Sequence, residues 1–132
     1  MSKYAIVRAT FYEDLAQRLT AGALKGFKEE GVEEADVDVF DVPGAFELPL
    51  AAKACADSGR YSGIACLGAV IRGETDHYDW VCSAAAHGLE LVQLEAGVPC
   101  AFGLLTVDSL DQALARSGGD KRDQGYNAAI VA

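Results

Sequence analysis

The residues Gly68-Ala69-Val70-Ile71-Arg72-Gly73-Glu74-Thr75-Asp76-His77 carry an apolar strand into a polar turn broken by glycine. A helix is expected directly downstream, from Asp76 to Glu95, and its first backbone N–H groups have no earlier carbonyl to satisfy them. A helix start of this kind attracts an anion. His77 stands beside it, the side chain best suited to exchange protons near neutral pH. An anion cradle next to a titratable imidazole suits chemistry on a phosphorylated small molecule. Thr75 serves either as the helix cap or as an anion ligand, two uses that compete for one hydroxyl. Glu74 has the wrong charge for an anion site, so its backbone N–H, not its carboxylate, is the group expected to donate.

Other residues with chemical content lie where apolar runs end. Phe11 follows Tyr4-Ala5-Ile6-Val7-Arg8-Ala9, at the start of a loop. It is either a packing or helix-cap aromatic or a flat platform for a heterocycle. In Val42-Pro43-Gly44-Ala45-Phe46-Glu47, a residue of fixed φ adjoins one free to turn, which delivers the backbone to the next helix at a set angle. Glu47 then falls in the first helical turn. It is either a surface carboxylate favoured by the helix dipole or an acceptor for the hydroxyls of a polyol. Arg116, near the end of a later helix, either complements that helix's dipole or offers its planar fork to a phosphate. Its helix should end away from the His77 turn, so the second reading brings it in from a neighbouring subunit. His87, further along the His77 helix, is expected to be structural or exposed.

These residues need elements to position them. Tyr4 to Ala9 reads as a buried first strand. From Glu13, the residues Leu15, Leu19, Ala23 and Phe27 recur at helical spacing until Gly31 stops the helix. A second strand is expected over Asp36 to Asp41 and a second helix over Glu47 to Ser58, with Pro49 tolerated in its first turn. The third strand covers Gly63 to Val70, and the long helix after it should bury Val81, Ala85, Leu89 and Val92. Pro99 to Thr106 is the fourth strand, and Ser109 with Gln112 has the form of a capping box opening a helix that ends near Arg116. Tyr126 to Ala132 begins either another helix or another strand. Strands alternating with helices predict right-handed βαβ units, and so an α/β fold with a four-stranded parallel sheet covered by helices on both faces. Ligands of such sheets bind beyond the carboxyl ends of the strands. Those ends are Thr10 to Tyr12, Val42 to Glu47, Val70 to His77, and Thr106 to Asp108.

Composition narrows the function classes. The 132 residues suit one domain, and 51% hydrophobic residues make it globular. The formal net charge of −9 argues against DNA or RNA, which demand a basic footprint. No apolar run approaches the roughly 20 residues that span a bilayer. Met1-Ser2-Lys3-Tyr4 lacks the apolar stretch of a signal peptide, so the expected location is cytoplasmic. Cys55, Cys66, Cys82 and Cys100 lie far apart with no Cys-x-x-Cys spacing, and neither histidine has metal-ligand spacing to them. Reduced thiols packed as small hydrophobes are expected, with no metal.

Taken together, Val42-Pro43-Gly44-Ala45-Phe46-Glu47, Gly68 to Asp79, and Gly97-Val98-Pro99-Cys100-Ala101-Phe102-Gly103 resemble the 6,7-dimethyl-8-ribityllumazine synthase family. The resemblance runs in order from Tyr4 to about Gly125. It implies a flavodoxin-like three-layer αβα sandwich and a cytoplasmic transferase of riboflavin biosynthesis. Such an enzyme condenses a 5-amino-6-ribitylamino-pyrimidinedione with 3,4-dihydroxy-2-butanone 4-phosphate, without a metal or organic cofactor. It also implies a homo-oligomer, a pentamer or an assembly of pentamers, with each site between two subunits. By resemblance, Phe11 stacks on the pyrimidine, and Ala45, Phe46, Val70 and Ile71 line it. Glu47 holds ribityl hydroxyls, Glu74 (through its backbone) and Thr75 bind phosphate, and His77 transfers protons. Phe102 and Arg116 are expected from the adjacent subunit, Arg116 on the phosphate.

Two features depart from the family pattern. Gln124 stands where many members carry lysine, so either Lys121 or Arg122 compensates or one polar substrate contact is lost. Members also continue past the position of Ala132, so the C-terminal helix is expected to be short. Two rival readings remain: a lumazine- or flavin-binding module without turnover, against which the retention of His77, Arg116, Thr75 and Glu47 together argues, and a mainly structural shell subunit, which only sizing of the assembly with activity measured alongside separates from the enzyme.

Overall fold

The computed structural model describes residues 3–73, 77–118 and 123–132. Strand β1 spans Tyr4–Ala9, as its apolar run predicts. Helix α1, Glu13–Glu29, buries Leu15, Leu19, Ala23 and Phe27 along one stripe. Gly31, at φ 86°, then turns the chain out of the helix in a conformation that side chains resist. After a 3-10 turn at Glu34–Asp36, β2 covers Val37–Val42, one residue later than expected. A second 3-10 turn, Ala45–Glu47, takes the first residue expected for the next helix, and α2 runs over Leu48–Asp57. The fixed φ of Pro49 suits the first turn of α2, where its missing N–H has no intrahelical partner to lose.

The central strand β3 is Gly63–Ile71, followed by α3 at His77–Ala96 and β4 at Cys100–Val107. The Ser109 hydroxyl accepts the Gln112 N–H at 3.2 Å and so caps α4, Leu110–Ala115. Gln112 Oε1 accepts the Asp108 N–H at 2.8 Å, one residue before the cap, so the predicted reciprocal pair is offset by one position. The tail resolves to a helix, α5 at Gln124–Val131, capped where Asp123 Oδ1 accepts the Tyr126 N–H at 3.2 Å.

All four strands are parallel, in the order β2-β1-β3-β4. The fold is the flavodoxin-like three-layer α/β arrangement. The residues of β3 are buried up to Val70, as a parallel strand covered on both faces requires. Ala5, Val7 and Ala9 of β1 face a core shared with α2 and α3, while Ile6 faces a second core under α1 and α5. The α1–α5 contact depends on backbone approach: a side chain at Gly125 would collide with the Leu19 carbonyl.

The register positions the site. β1 pairs with β3 only from Tyr4↔Gly63 to Arg8↔Leu67. Ala9, the last residue of β1, still packs beside Gly68, and β3 then continues along β4 from Ala69↔Leu105 to Ile71↔Val107 with no strand on its other side. Meanwhile the chain leaving β1 turns the other way, the Thr10 N–H donating to the Val42 carbonyl at 2.9 Å. A crevice therefore opens between β1 and β3, where the direction of winding reverses, and this is where open α/β sheets bind ligands.

Candidate active site

The crevice holds a cavity of about 570 Å³ walled by residues from three strand ends. Ala69, Val70 and Ile71 of the overhanging β3 form one wall. Phe11 and Tyr12, just past β1, form another. Gly44, Ala45, Phe46 and Glu47, between β2 and α2, form a third, and the first turns of α3 supply His77, Trp80 and Val81. A volume of this size suits one small organic ligand.

Seven of the expected site residues thus meet in one place: Phe11, Ala45, Phe46, Glu47, Val70, Ile71 and His77. The choice left open at Phe11 is decided against core packing. Its ring is 74% exposed, and it touches the edge of Tyr12 at a centroid separation of 4.9 Å. Phe46 at 63% and Trp80 at 75% exposure are likewise apolar faces left unburied around the cavity. Bare aromatic surface around a concavity is costly in water and favours a flat apolar ligand. Ala45 and Val70, by contrast, are buried and shape the floor.

The polar groups are few. Glu47 ends the 3-10 turn, its N–H donating to the Gly44 carbonyl at 3.1 Å. Its carboxylate folds back over Gly44, where a side-chain carbon would come within 3.2 Å of Oε1. The glycine thus clears room for the carboxylate on the cavity rim. His77 is the first residue of α3 and is exposed on the cavity wall. Glu74 and Thr75, the expected phosphate ligands, lie outside the described residues, as do Lys121 and Arg122.

Phe102 and Arg116 do not reach this cavity within the chain. Phe102 projects from the edge strand β4 and is partly exposed. Arg116 follows α4, and its Nη1 donates to the Gln112 carbonyl at 3.1 Å, a contact with the C-terminal end of its own helix that suits a cation. Gln124 is engaged as well, its Nε2 donating to the Phe102 carbonyl at 3.0 Å and tying α5 to β4. His87 is exposed on α3.

The cysteines are not placed as nucleophiles. Burial pushes the Cys66 thiol well up and the Cys100 thiol to about 11, which keeps both protonated and inert. All four cysteines are free thiols, Cys82 only partly buried. Among the described residues, no group of three or more His, Cys, Asp or Glu is arranged to hold a metal ion. No helix of the described residues is long and apolar enough to cross a membrane.

Sequence reasoning missed Tyr12, Gly44, Ala69, Trp80 and Val81 as cavity-lining residues. Trp80 had a legible signal: it sits three residues after His77, hence on the same face of the helix. A family model described as 6,7-dimethyl-8-ribityllumazine synthase matches residues 1–132. The chain therefore belongs to that family, which implies lumazine synthase activity in riboflavin biosynthesis.

Proposed function

We propose that the protein condenses 5-amino-6-(D-ribitylamino)uracil with 3,4-dihydroxy-2-butanone 4-phosphate to give 6,7-dimethyl-8-ribityllumazine, phosphate and water, the penultimate step of riboflavin biosynthesis. The observation that carries this reading is the convergence of Phe11, Phe46, Glu47 and His77 on one apolar cavity at the sheet's switch point. The exposed aromatic rings suit a flat pyrimidine, the Glu47 carboxylate suits ribityl hydroxyls, and the imidazole suits proton transfer.

The chemistry asks little more. The 5-amino group adds to the ketone and loses water to form an imine. Loss of phosphate then unmasks a second carbonyl, which the ribitylamino nitrogen attacks with loss of a second water. His77 moves protons between these nitrogens and oxygens, and holding two substrates together supplies much of the rate. The backbone N–H of Glu74 and the Thr75 hydroxyl hold the leaving phosphate, whose developing charge they stabilise.

The active form is a homo-oligomer, a pentamer or an assembly of pentamers in the cytoplasm, in which Phe102 and Arg116 of the adjacent subunit complete each site. Exposed Val39 and Phe40 on one edge strand, Phe102 on the other, and Leu91 and Leu94 on α3 support burial against further copies.

The test mixes purified protein with both substrates and follows lumazine formation by absorbance. Product should appear only when both are present. If no product forms while a lumazine analogue still binds, the binding-module reading replaces the synthase. Cross-subunit completion is tested by mixing Arg116→Ala and His77→Ala chains under subunit exchange. Each alone should be poor and the mixture partly active, at constant ionic strength because salt screens an arginine–phosphate contact. Exchange without recovery would place both residues in the same subunit's site.

A further inference from the structure

Arg72 follows β3 directly and does not line the cavity, yet it ties the end of β4 to Tyr78 and Asp79, which lie between the lining residues His77 and Trp80. Its N–H donates to the Val107 carbonyl at 2.9 Å, adding a rung to the β3–β4 ladder. Its Nε donates to Asp108 Oδ1 at 2.9 Å, just past the end of β4. Its guanidinium lies 4.3 Å from the centre of the Tyr78 ring, and Nη2 is 3.7 Å from Asp79 Oδ1. Tyr78 and Asp79 are the two residues after His77 in the first turn of α3. The Tyr78 hydroxyl in turn interacts with Thr106 of β4 and with Cys82 one turn along α3.

We propose that Arg72 is a positioning residue that fixes the first turn of α3, and with it the His77 imidazole, against the ends of β3 and β4. The inference rests on the role given to His77 above. The position is poor for a cation on helix grounds alone, since the N-terminal end of a helix dipole repels positive charge. Asp79 and Asp108 offset that repulsion. Both carboxylates and the guanidinium are about half exposed or more (49% for Arg72, 63% for Asp79, 67% for Asp108), so these pairs add little to global stability. What they define is an angle. The planar guanidinium lies over the Tyr78 ring while its Nε–H donates to Asp108 and its Nη2 faces the Asp79 carboxylate. A lysine ammonium lacks both the plane and the fork. The imidazole must meet reacting atoms at hydrogen-bond range, where a displacement of about 1 Å costs on the order of a hundredfold in rate.

The experiment compares Arg72→Met and Arg72→Lys with the native assembly, in His77 and His77→Ala backgrounds. Arg72→Met should lower kcat by about ten- to a hundredfold while leaving thermal midpoint and pyrimidine-analogue affinity nearly unchanged. Arg72→Lys should recover only a small part of the loss. In the His77→Ala background, Arg72→Met should cost little more, because a residue acting through His77 has nothing left to position. A full additional loss in that background, or an unchanged kcat in Arg72→Met, overturns the proposal.

A second measurement does not depend on turnover. The chain has two histidines, so the imidazole NMR signals of His77 can be read against those of exposed His87. Arg72→Met should move or broaden the His77 signals and leave those of His87 in place; unchanged His77 signals overturn the proposal. If the native protein forms no lumazine, the synthase reading falls, and these signals still decide whether Arg72 orients His77. Should Arg72→Met fail to assemble, the Asp79→Asn/Asp108→Asn double variant removes the partners instead. It carries the same expectations and the same overturning results.

Discussion

The crevice between β1 and β3 and the seam between α1 and α5 solve opposite problems with opposite kinds of residue. At the seam, Gly125 lets the backbone of α5 approach the Leu19 carbonyl so closely that no side chain fits. At the crevice, β3 runs past the end of its pairing with β1, and Phe11, Phe46 and Trp80 stand exposed around the space that results. Small residues close the seam to hold the tail of the chain. Large ones line the crevice and leave apolar surface unburied. The seam is a packing contact, whereas the crevice is a surface open to a ligand. Changes at the two regions should therefore separate into losses of function and losses of folding.

The largest expected effect is on function. His77→Ala should slow condensation by about 10²–10⁴-fold, the usual contribution of a positioned acid–base group, with pyrimidine affinity and thermal midpoint nearly intact. Steady-state kinetics beside calorimetric binding checks this, and an unchanged kcat would remove His77 from the mechanism. The seam should show the reverse. Gly125→Ala forces the two helices apart and should destabilise by about 1–3 kcal/mol, as overpacking does, with kcat of the folded protein preserved. Denaturant unfolding with activity measured at low temperature tests it, and a fully stable variant would mean the seam tolerates slack.

Phe11→Ala should weaken a pyrimidine or flavin analogue by roughly 1–3 kcal/mol, the range for a base stacked on an aromatic ring, without moving the melting temperature. Phe11→Tyr should be tolerated. A lower melting temperature with unchanged affinity would put Phe11 on the folding side of the comparison. The smallest effect concerns Trp80, the sole tryptophan. Its fluorescence should change on analogue binding, and Trp80→Ala should reduce affinity by about 0.5–1.5 kcal/mol, a typical aromatic contact. Fluorescence indifferent to saturating analogue would show that Trp80 borders the cavity without touching its occupant.

Much of this was legible because it is local. The apolar runs and helical repeats mark β1, α1 and the long helix α3 nearly to the residue. The end of the first apolar run places Phe11 at a strand end, two of the motifs place Phe46, Glu47 and His77 at others, and parallel-sheet geometry puts strand ends together. What was not legible depends on register and on partners distant in sequence. Nothing in Ala69-Val70-Ile71 says that these residues pair on one side only, which is what creates the crevice. Tyr126 to Ala132 is too short and too uniformly apolar for its period to be read, and its helix is decided by the Asp123 cap and by packing on α1. Trp80 was passed over because the core residues of its helix set the pattern, while the residue facing the cavity lies off that stripe.

The thiols give the α2–α3 layer a built-in clock. Cys55, Cys66 and Cys100 are buried in the core beneath these helices, whereas Cys82 is only partly covered. Alkylating reagents need both access and a thiolate, and burial denies both to the first group. Cys82 should modify first, and each of the others only as often as its surroundings open. Modification rates at individual cysteines, followed by mass spectrometry without denaturant, would then grade the opening free energies within this layer. A lumazine analogue seated against Val81 and Ala45, at the edge of the same core, should slow that clock only if ligand binding tightens the layer beneath it.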